Sequence, residues 1–210
     1  MTARGVTGAP AVSPGASGAP GLRRGSYIRT ASGQRFWPLD ARAREVDPKD
    51  VAHALSNLCR FTGHVRKFYS VAQHCCYVSK VVLDEAKKLG LSEDESRLLA
   101  LEGLCHDATE AYLNDLATPV KKQPDLAGYR ATEARLWKVI AERFGLPPEE
   151  SDLVRWADRV MLVTEARDLM PPGDDWSVWG VSPADFTVRP WTPEVARGTW
   201  LSSFTWLGGA

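Results

Sequence analysis

The sequence lacks the features that would place it in a membrane, in a disulfide-stabilised class or on a polyanion. No apolar run approaches the roughly 18 residues that a membrane-spanning helix requires. The four cysteines have neither the paired spacing of a zinc ribbon nor the company of a secretion signal, so we expect reduced thiols and a cytoplasmic protein. Lysine plus arginine and aspartate plus glutamate number 26 each, so no overall charge favours a membrane surface or a long nucleic acid.

Composition divides the chain into three parts. Residues 1–24 are rich in glycine, alanine, proline and serine, and because they offer little apolar surface to bury, we expect a disordered tail. Residues 25–170 predict an all-α domain with a small β-hairpin between Ser26 and Leu39. Residues 171–210 contain five of the eight tryptophans and predict an irregular extension that packs on the domain or forms an oligomer interface.

Local capping signals predict where the main helices begin. A side-chain oxygen at the residue before a helix accepts a hydrogen bond from the N–H groups of its first turn. The sequence accordingly predicts helices that begin after Asp47, after Ser70 and, with Glu95 completing a capping box, after Ser92. Further helices are predicted from about 126 to 144, from 147 to 169, and from 192 onwards.

In the third predicted helix, an apolar stripe is followed by charged side chains that can bind a metal ion. Its apolar stripe is formed by Leu98, Leu101 and Leu104. The stripe runs directly into His106 and Asp107, which are predicted to lie in the same helix. An ionised carboxylate buried beside an imidazole is costly unless it is compensated, and a divalent cation compensates both groups at once. Glu110 follows one turn later, so we expect it to act as a base beside such an ion.

Four side chains from three predicted helices form a candidate ligand set. They are His74 in the first turn of the second helix, His106, Asp107, and Asp158, which stands among apolar residues of a later helix. This mixture of nitrogen and oxygen donors suits Zn, Mn, Co or Fe and leaves positions open for water and substrate. Open coordination positions predict a catalytic metal, which would activate a water molecule to attack the substrate while Glu110 transfers a proton. For an isolated His-Asp pair the alternative is a solvated, polar helix end.

The motifs around these residues resemble those of a known family. Tyr-Ser-Val-Ala-Gln-His ends at His74, and Trp-Ala-Asp-Arg includes Asp158. Between them, the run from His106 to Lys121 reads His-Asp-Ala-Thr-Glu-Ala-Tyr-Leu-Asn-Asp-Leu-Ala-Thr-Pro-Val-Lys. The pattern resembles the His…His-Asp…Asp signature of HD-domain metal-dependent phosphohydrolases. Over about residues 26–170 the chain is similar to the compact HD-domain 5′-deoxynucleotidases and the phage dATP triphosphohydrolases.

The resemblance implies an HD-domain helical bundle that hydrolyses phosphate groups from deoxynucleotides. The four candidate ligands would hold one divalent transition metal, with an additional Mg or Mn accompanying the substrate phosphates. Glu110 would transfer the proton, and Asp115 would contact the sugar or position water. Lys121 would bind phosphate.

The resemblance also implies substrate contacts in the loop that ends the first helix. Arg60 corresponds to the arginine of an Arg-Trp pair in the nucleotidases, but Phe61 replaces the tryptophan, so the base and sugar contacts differ in this chain. His64, Arg66 and Lys67 would form a second phosphate clamp.

Two other functions remain open at this point. A cyclic-nucleotide or oligonucleotide phosphodiesterase would use the same metal centre, although the neutral composition does not favour the basic groove that an oligonucleotide needs. A non-catalytic binding or oligomerisation module would predict a broken ligand set, and no candidate ligand is missing. We expect a small nucleotide substrate and a homo-oligomer. The sequence leaves open the base, the number of phosphates removed and the metal.

Overall fold

Residues 23–209, the part of the chain that the computed structural model describes, form eight α-helices after a short hairpin. The strands are β1 (Ile28–Arg29) and β2 (Arg35–Phe36). The helices are α1 (Pro48–Asn57), α2 (Val71–Lys88), α3 (Glu93–Cys105), α4 (Glu110–Leu113), α5 (Thr118–Lys121), α6 (Ala127–Phe144), α7 (Asp152–Leu169) and α8 (Pro193–Trp206). The predicted fold class, all-α with a small N-terminal hairpin, is confirmed. Most of the predicted tail lies outside the described residues.

The hairpin is antiparallel and packs on the helical body. Gly33 adopts a φ of 84° in its turn, a left-handed conformation that glycine reaches without steric cost. Phe36 of β2 is fully buried and stacks on Tyr112, with ring centroids 3.8 Å apart. Because a two-stranded hairpin is marginally stable alone, this stacking explains why the pair of strands persists.

The predicted helix starts coincide with observed side-chain caps. Asp47 accepts a hydrogen bond from the backbone of Lys49, and Ser70 accepts one from Gln73. Both bonds of the capping box between Ser92 and Glu95 are present. The last helix likewise begins with a cap, at Thr192.

The third helix ends before the pair of charged residues that it was predicted to contain. α3 finishes at Cys105, so His106 is its C-terminal cap and Asp107 lies in the turn that follows. The chain leaves the helix because the N–H groups of Ala108 and Glu110 bond carbonyls three residues back, which tightens the turn. The predicted apolar stripe was also wrong at its first residue, since Leu98 is 43% exposed, whereas Leu101 and Leu104 are buried.

The seventh helix begins five residues later than predicted. The sequence from 147 to 150 stays outside it, and Ser151 provides the cap by accepting a hydrogen bond from the backbone of Val154. The backbone N–H of Ser151 in turn donates to Oε1 of the buried Glu102 at 2.5 Å. The helix start therefore combines a local cap at Ser151, which the sequence analysis missed, with a contact to a distant segment.

Helix α2 occupies the centre of the helical body and contacts α1, α3, α7 and α8. α3 approaches it closely at Gly103, where an added Cβ would stand 3.2 Å from the side chain of Val82 and 3.4 Å from the backbone of Ser79. The Oγ of Ser79 donates to the carbonyl of Ala100 at 2.7 Å and joins the two helices. This packing brings the start of α2 beside the end of α3.

The tryptophan-rich C-terminal segment contributes to the core. Trp200 of α8 is fully buried, stacks on Phe204 and donates from Nε1 to the carbonyl of Leu104 at 3.0 Å. α8 thereby supports the end of α3, where the candidate ligands begin. The predicted division of the chain into domains and the predicted oligomer stay predictions. Within residues 23–209, no helix combines the length and apolarity needed to cross a membrane.

Candidate metal centre

Three of the four predicted metal ligands, His74, His106 and Asp107, form one group, and the fourth, Asp158, lies close to both histidines. His74 lies in the first turn of α2 and is fully buried, His106 and Asp107 follow α3, and Asp158 lies in α7. The Nε2 atoms of His74 and His106 are 3.3 Å apart. Nε2 of His74 is 3.6 Å from Oδ2 of Asp107 and 3.2 Å from Oδ1 of Asp158, and the corresponding distances from His106 are 3.3 and 3.9 Å.

These distances fit the coordination of a divalent ion. Metal–ligand bonds of about 2.0–2.2 Å place neighbouring ligand atoms roughly 3–3.5 Å apart in tetrahedral or octahedral sites. The atoms of His74, His106 and Asp107 together form a group that could hold a metal ion, because all lie within 4.8 Å of one another. Asp158 adds a fourth donor on the side where its carboxylate is 41% exposed.

Hydrogen bonds at the far side of each imidazole ring orient its Nε2 atom. Nδ1 of His106 lies 2.8 Å from the carbonyl of Gly103, and since a carbonyl only accepts, the proton is on Nδ1. Nδ1 of His74 lies 2.6 Å from Oε1 of Glu165 and donates to that carboxylate. Both rings therefore turn Nε2 toward the cluster, as metal-binding histidines do.

Glu165 bonds directly to His74 and is linked to Asp107 through Arg60. It is completely buried and accepts hydrogen bonds from His74, from the hydroxyl of Tyr69 at 2.8 Å and from Nε of Arg60 at 3.0 Å. Nη1 of Arg60 lies 3.5 Å from Oδ2 of Asp107. Burial alone would raise the pKa of Glu165, but Arg60 and His74 outweigh it and lower that pKa. Sequence reasoning missed Glu165, although it follows Asp158 by seven residues and so shares its helix face.

The electrostatic environment at this point favours positive charge. Burial and Arg60 act to lower the pKa of His74, but Glu165 and Asp158 outweigh them and raise it to about 9. Burial acts to raise the pKa of Asp158, and the two histidines outweigh it, so that this pKa is lowered. The same balance of charges favours a bound cation.

Glu110 stands beside this cluster with one carboxyl oxygen free. It begins α4, it is buried, and its Oε2 has no hydrogen-bond partner within the described part of the chain. Burial, followed by the charges of Asp107 and Asp115, raises the pKa of Glu110 well above its ordinary value. Burial likewise raises the pKa of Asp115, against the influence of Arg60. The predicted proton-transfer residue therefore lies near a ligand and outside the ligand group.

A cavity of about 360 Å³ opens in front of the cluster. One side of it is formed by His106, Asp107 and Asp158. Lys121, which pairs through Nζ with Oε1 of Glu133, also lines it. The cavity lining therefore combines candidate metal ligands with an ammonium group.

The remaining predicted substrate residues lie away from the lining of this cavity. Arg60 is held behind the cluster by its two carboxylate partners. The Phe61 ring contacts Trp176 edge-on at 6.5 Å and lies beneath the Arg60 guanidinium. His64 and Lys67 are exposed on the loop that follows. Their contacts with substrate stay predictions.

Comparison with known proteins places the chain among relatives whose names state no activity. No family model matches the sequence. An uncharacterized protein of Rhodobacter capsulatus is 35% identical over 124 residues, which cover 58% of this chain and 60% of that protein. The uncharacterized protein YfdR of Escherichia coli K12 is 40% identical over 182 residues, which cover 85% of this chain and 94% of YfdR. The chain has the helical fold and the His-Asp group described above. On this identity and coverage it belongs to the family of YfdR.

Proposed function

We propose that this protein is an HD-domain metal-dependent phosphohydrolase that removes phosphate groups from deoxynucleotides, as a 5′-nucleotidase or as a triphosphohydrolase. The observation that carries the proposal is that the Nε2 atoms of His74 and His106 lie 3.2–3.9 Å from the carboxylates of Asp107 and Asp158, beside a cavity. The resemblance of the surrounding motifs to HD-domain enzymes supplies the substrate class.

His74, His106, Asp107 and Asp158 are the residues that would hold the metal. A divalent transition ion bound there would polarise a phosphoryl oxygen and lower the pKa of a water molecule. The protein contributes the orientation of these ligands, since Glu165 and the Gly103 carbonyl fix both histidine rings.

Glu110 is the group that would take a proton from the attacking water at its free Oε2. A general base works best when its pKa lies near the working pH, and burial moves the pKa of Glu110 in that direction. Its position beside Asp107 places the base next to the ligand group without joining it.

Lys121 would bind the phosphate oxygens and offset charge that accumulates in the transition state. Its ammonium group is about half-buried and is already paired with Glu133, so it is held in place before substrate arrives. A cation that is pre-positioned in this way stabilises a phosphoryl group at little cost of reorganisation. The resemblance assigns Asp115 to the sugar.

The test is a panel of deoxynucleoside mono-, di- and triphosphates assayed with Mn, Co, Zn and Mg. Products are resolved as phosphate, pyrophosphate or triphosphate, and each base is also offered with ribose. We expect metal-dependent release from deoxynucleotides and weaker release from ribonucleotides. Equal turnover of both sugars would end the deoxynucleotide assignment and favour a phosphodiesterase. An absence of hydrolysis with every metal, despite bound metal, would favour a non-catalytic binding module.

A further inference from the structure

Helix α6 forms a wall of the cavity that three of the candidate metal ligands also line. Arg130, Glu133, Ala134 and Trp137 all line the cavity. Their spacing of three, four and seven residues places them on one face of the helix, over two turns. Nothing in the motifs around the metal ligands points to this face, because it comes from a separate part of the chain.

The charged groups of this wall are largely committed to the protein. Glu133 pairs with Lys121. Nη1 of Arg130 donates to the carbonyls of Lys121 and Gln123 at 2.6 and 2.7 Å and so fastens the segment after α5 to α6. Lys121 keeps further N–H donors for a ligand, and the rest of the wall is the methyl group of Ala134 and the indole of Trp137.

Trp137 is an unusual wall residue because its polar atom is unsatisfied. The indole is partly buried, and its Nε1 is shielded from solvent without a hydrogen-bond partner among the described residues. Buried indole N–H groups normally find an acceptor. Because this N–H is shielded and lies in the plane of the ring, the feature of Trp137 that a ligand in the cavity would contact is its apolar ring surface.

The cavity is large enough for one ligand to reach both walls. Pockets of roughly 300 Å³ or more accommodate small organic ligands, and this one measures about 360 Å³. A phosphate next to Asp158 and Lys121 would leave the remainder of the molecule against Trp137. The Phe61 ring, by contrast, is occupied by Trp176 and Arg60 and does not line the cavity.

We propose that Trp137 on the α6 wall is the platform on which the nucleobase of the substrate stacks, so that the enzyme prefers a phosphate ester with an aromatic ring system. This inference rests on the proposed phosphohydrolase function and adds the residue that recognises the organic part of the substrate. Stacking on an aromatic face tolerates every base, so Trp137 separates nucleotides from sugar phosphates and does not select one base.

The test compares a nucleotide with the same compound lacking its base. The pair is the best deoxynucleoside monophosphate and 2-deoxyribose 5-phosphate or, for a triphosphate substrate, the nucleotide and 2-deoxyribose 5-triphosphate. We measure kcat/KM for both compounds in the parent, in Trp137→Leu, in Trp137→Phe and in the control Trp206→Leu, which alters an exposed tryptophan of α8. Metal content and thermal unfolding are measured for every variant.

We expect the parent to prefer the nucleotide. Trp137→Leu should lower kcat/KM for the nucleotide by roughly 5- to 100-fold, with the base-free compound and the metal content unchanged. Trp137→Phe should restore part of the loss, because it keeps an aromatic face. Equal use of both compounds by the parent, or an equal loss on both in Trp137→Leu, would overturn the role of Trp137 and leave the hydrolase proposal standing. Failure of the parent to hydrolyse either compound would overturn both.

Discussion

Two carboxylates of helix α7 show how differently the two sides of the candidate metal centre are built. Glu165, on the inner side, is completely buried and accepts three hydrogen bonds from protein groups. Asp158, two turns earlier, is 41% exposed and borders the cavity. A completely buried carboxylate can orient its neighbours but cannot contact a substrate. The inner side therefore fixes geometry, and the outer side is available for chemistry.

The largest effect on metal binding and turnover should follow from removal of one of the predicted metal ligands. His106→Ala or Asp107→Ala should abolish metal binding and turnover while the helical circular-dichroism signal stays close to that of the parent, because the cluster lies at the edge of a large core. His53→Ala, which changes a partly exposed histidine of α1, is the matched control and should retain both. Full metal stoichiometry in the two ligand variants would refute the assignment.

A change at Glu110, the predicted proton-transfer residue, should separate chemistry from metal binding. Glu110→Gln keeps the shape of the side chain but cannot take a proton, so the rate should fall by about 10²–10⁴-fold. Bound metal and substrate affinity should change little. Loss of metal from this variant would instead make Glu110 a ligand.

A change at Glu165, on the inner side, should weaken metal binding without altering contacts with the substrate. Glu165→Gln should reduce metal affinity by about 10- to 100-fold, because His74 loses its charged partner and Arg60 is left facing Asp107 alone. Asp50→Asn removes another buried carboxylate, one that binds Ser32 in the hairpin, and controls for general loss of stability. Equal metal affinity in Glu165→Gln and the parent would show that the inner side has no such role.

The smallest of these effects should come from a cation on the cavity wall. Lys121→Ala should weaken binding of every nucleotide alike, by about tenfold or less, because Glu133 already offsets part of the lysine charge. Lys122→Ala changes the exposed neighbour and should have no effect. A base-dependent loss in Lys121→Ala would argue against a phosphate contact.

The candidate ligands and the residues that surround them also differ in how far the sequence could predict them. Helix starts at Ser70 and Ser92 could be predicted because a cap depends only on neighbouring residues. His74, His106, Asp107 and Asp158 could be singled out because each is a polar, metal-capable residue in an apolar context. Their distances, however, depend on how α2, α3 and α7 pack.

The partners that surround these ligands could not be predicted in the same way. Glu165 stands among charged residues of α7, and only the packing of α7 on α2 turns it inward to His74. Trp137 follows a helical pattern that is equally consistent with an ordinary core position. The Ser151 N–H at the start of α7 bonds to Glu102, 49 residues away along the chain. Long-range contacts of this kind leave no local signal.

The most direct test of the central claim measures metal content and phosphate release on the same sample. The protein is stripped with a chelator, dialysed and then titrated with Mn, Co or Zn in the presence of its best deoxynucleotide. The account predicts that release is lost on stripping and returns in proportion to bound metal, reaching its maximum at about one ion per chain. Phosphate release that persists at full rate after complete removal of metal would contradict it.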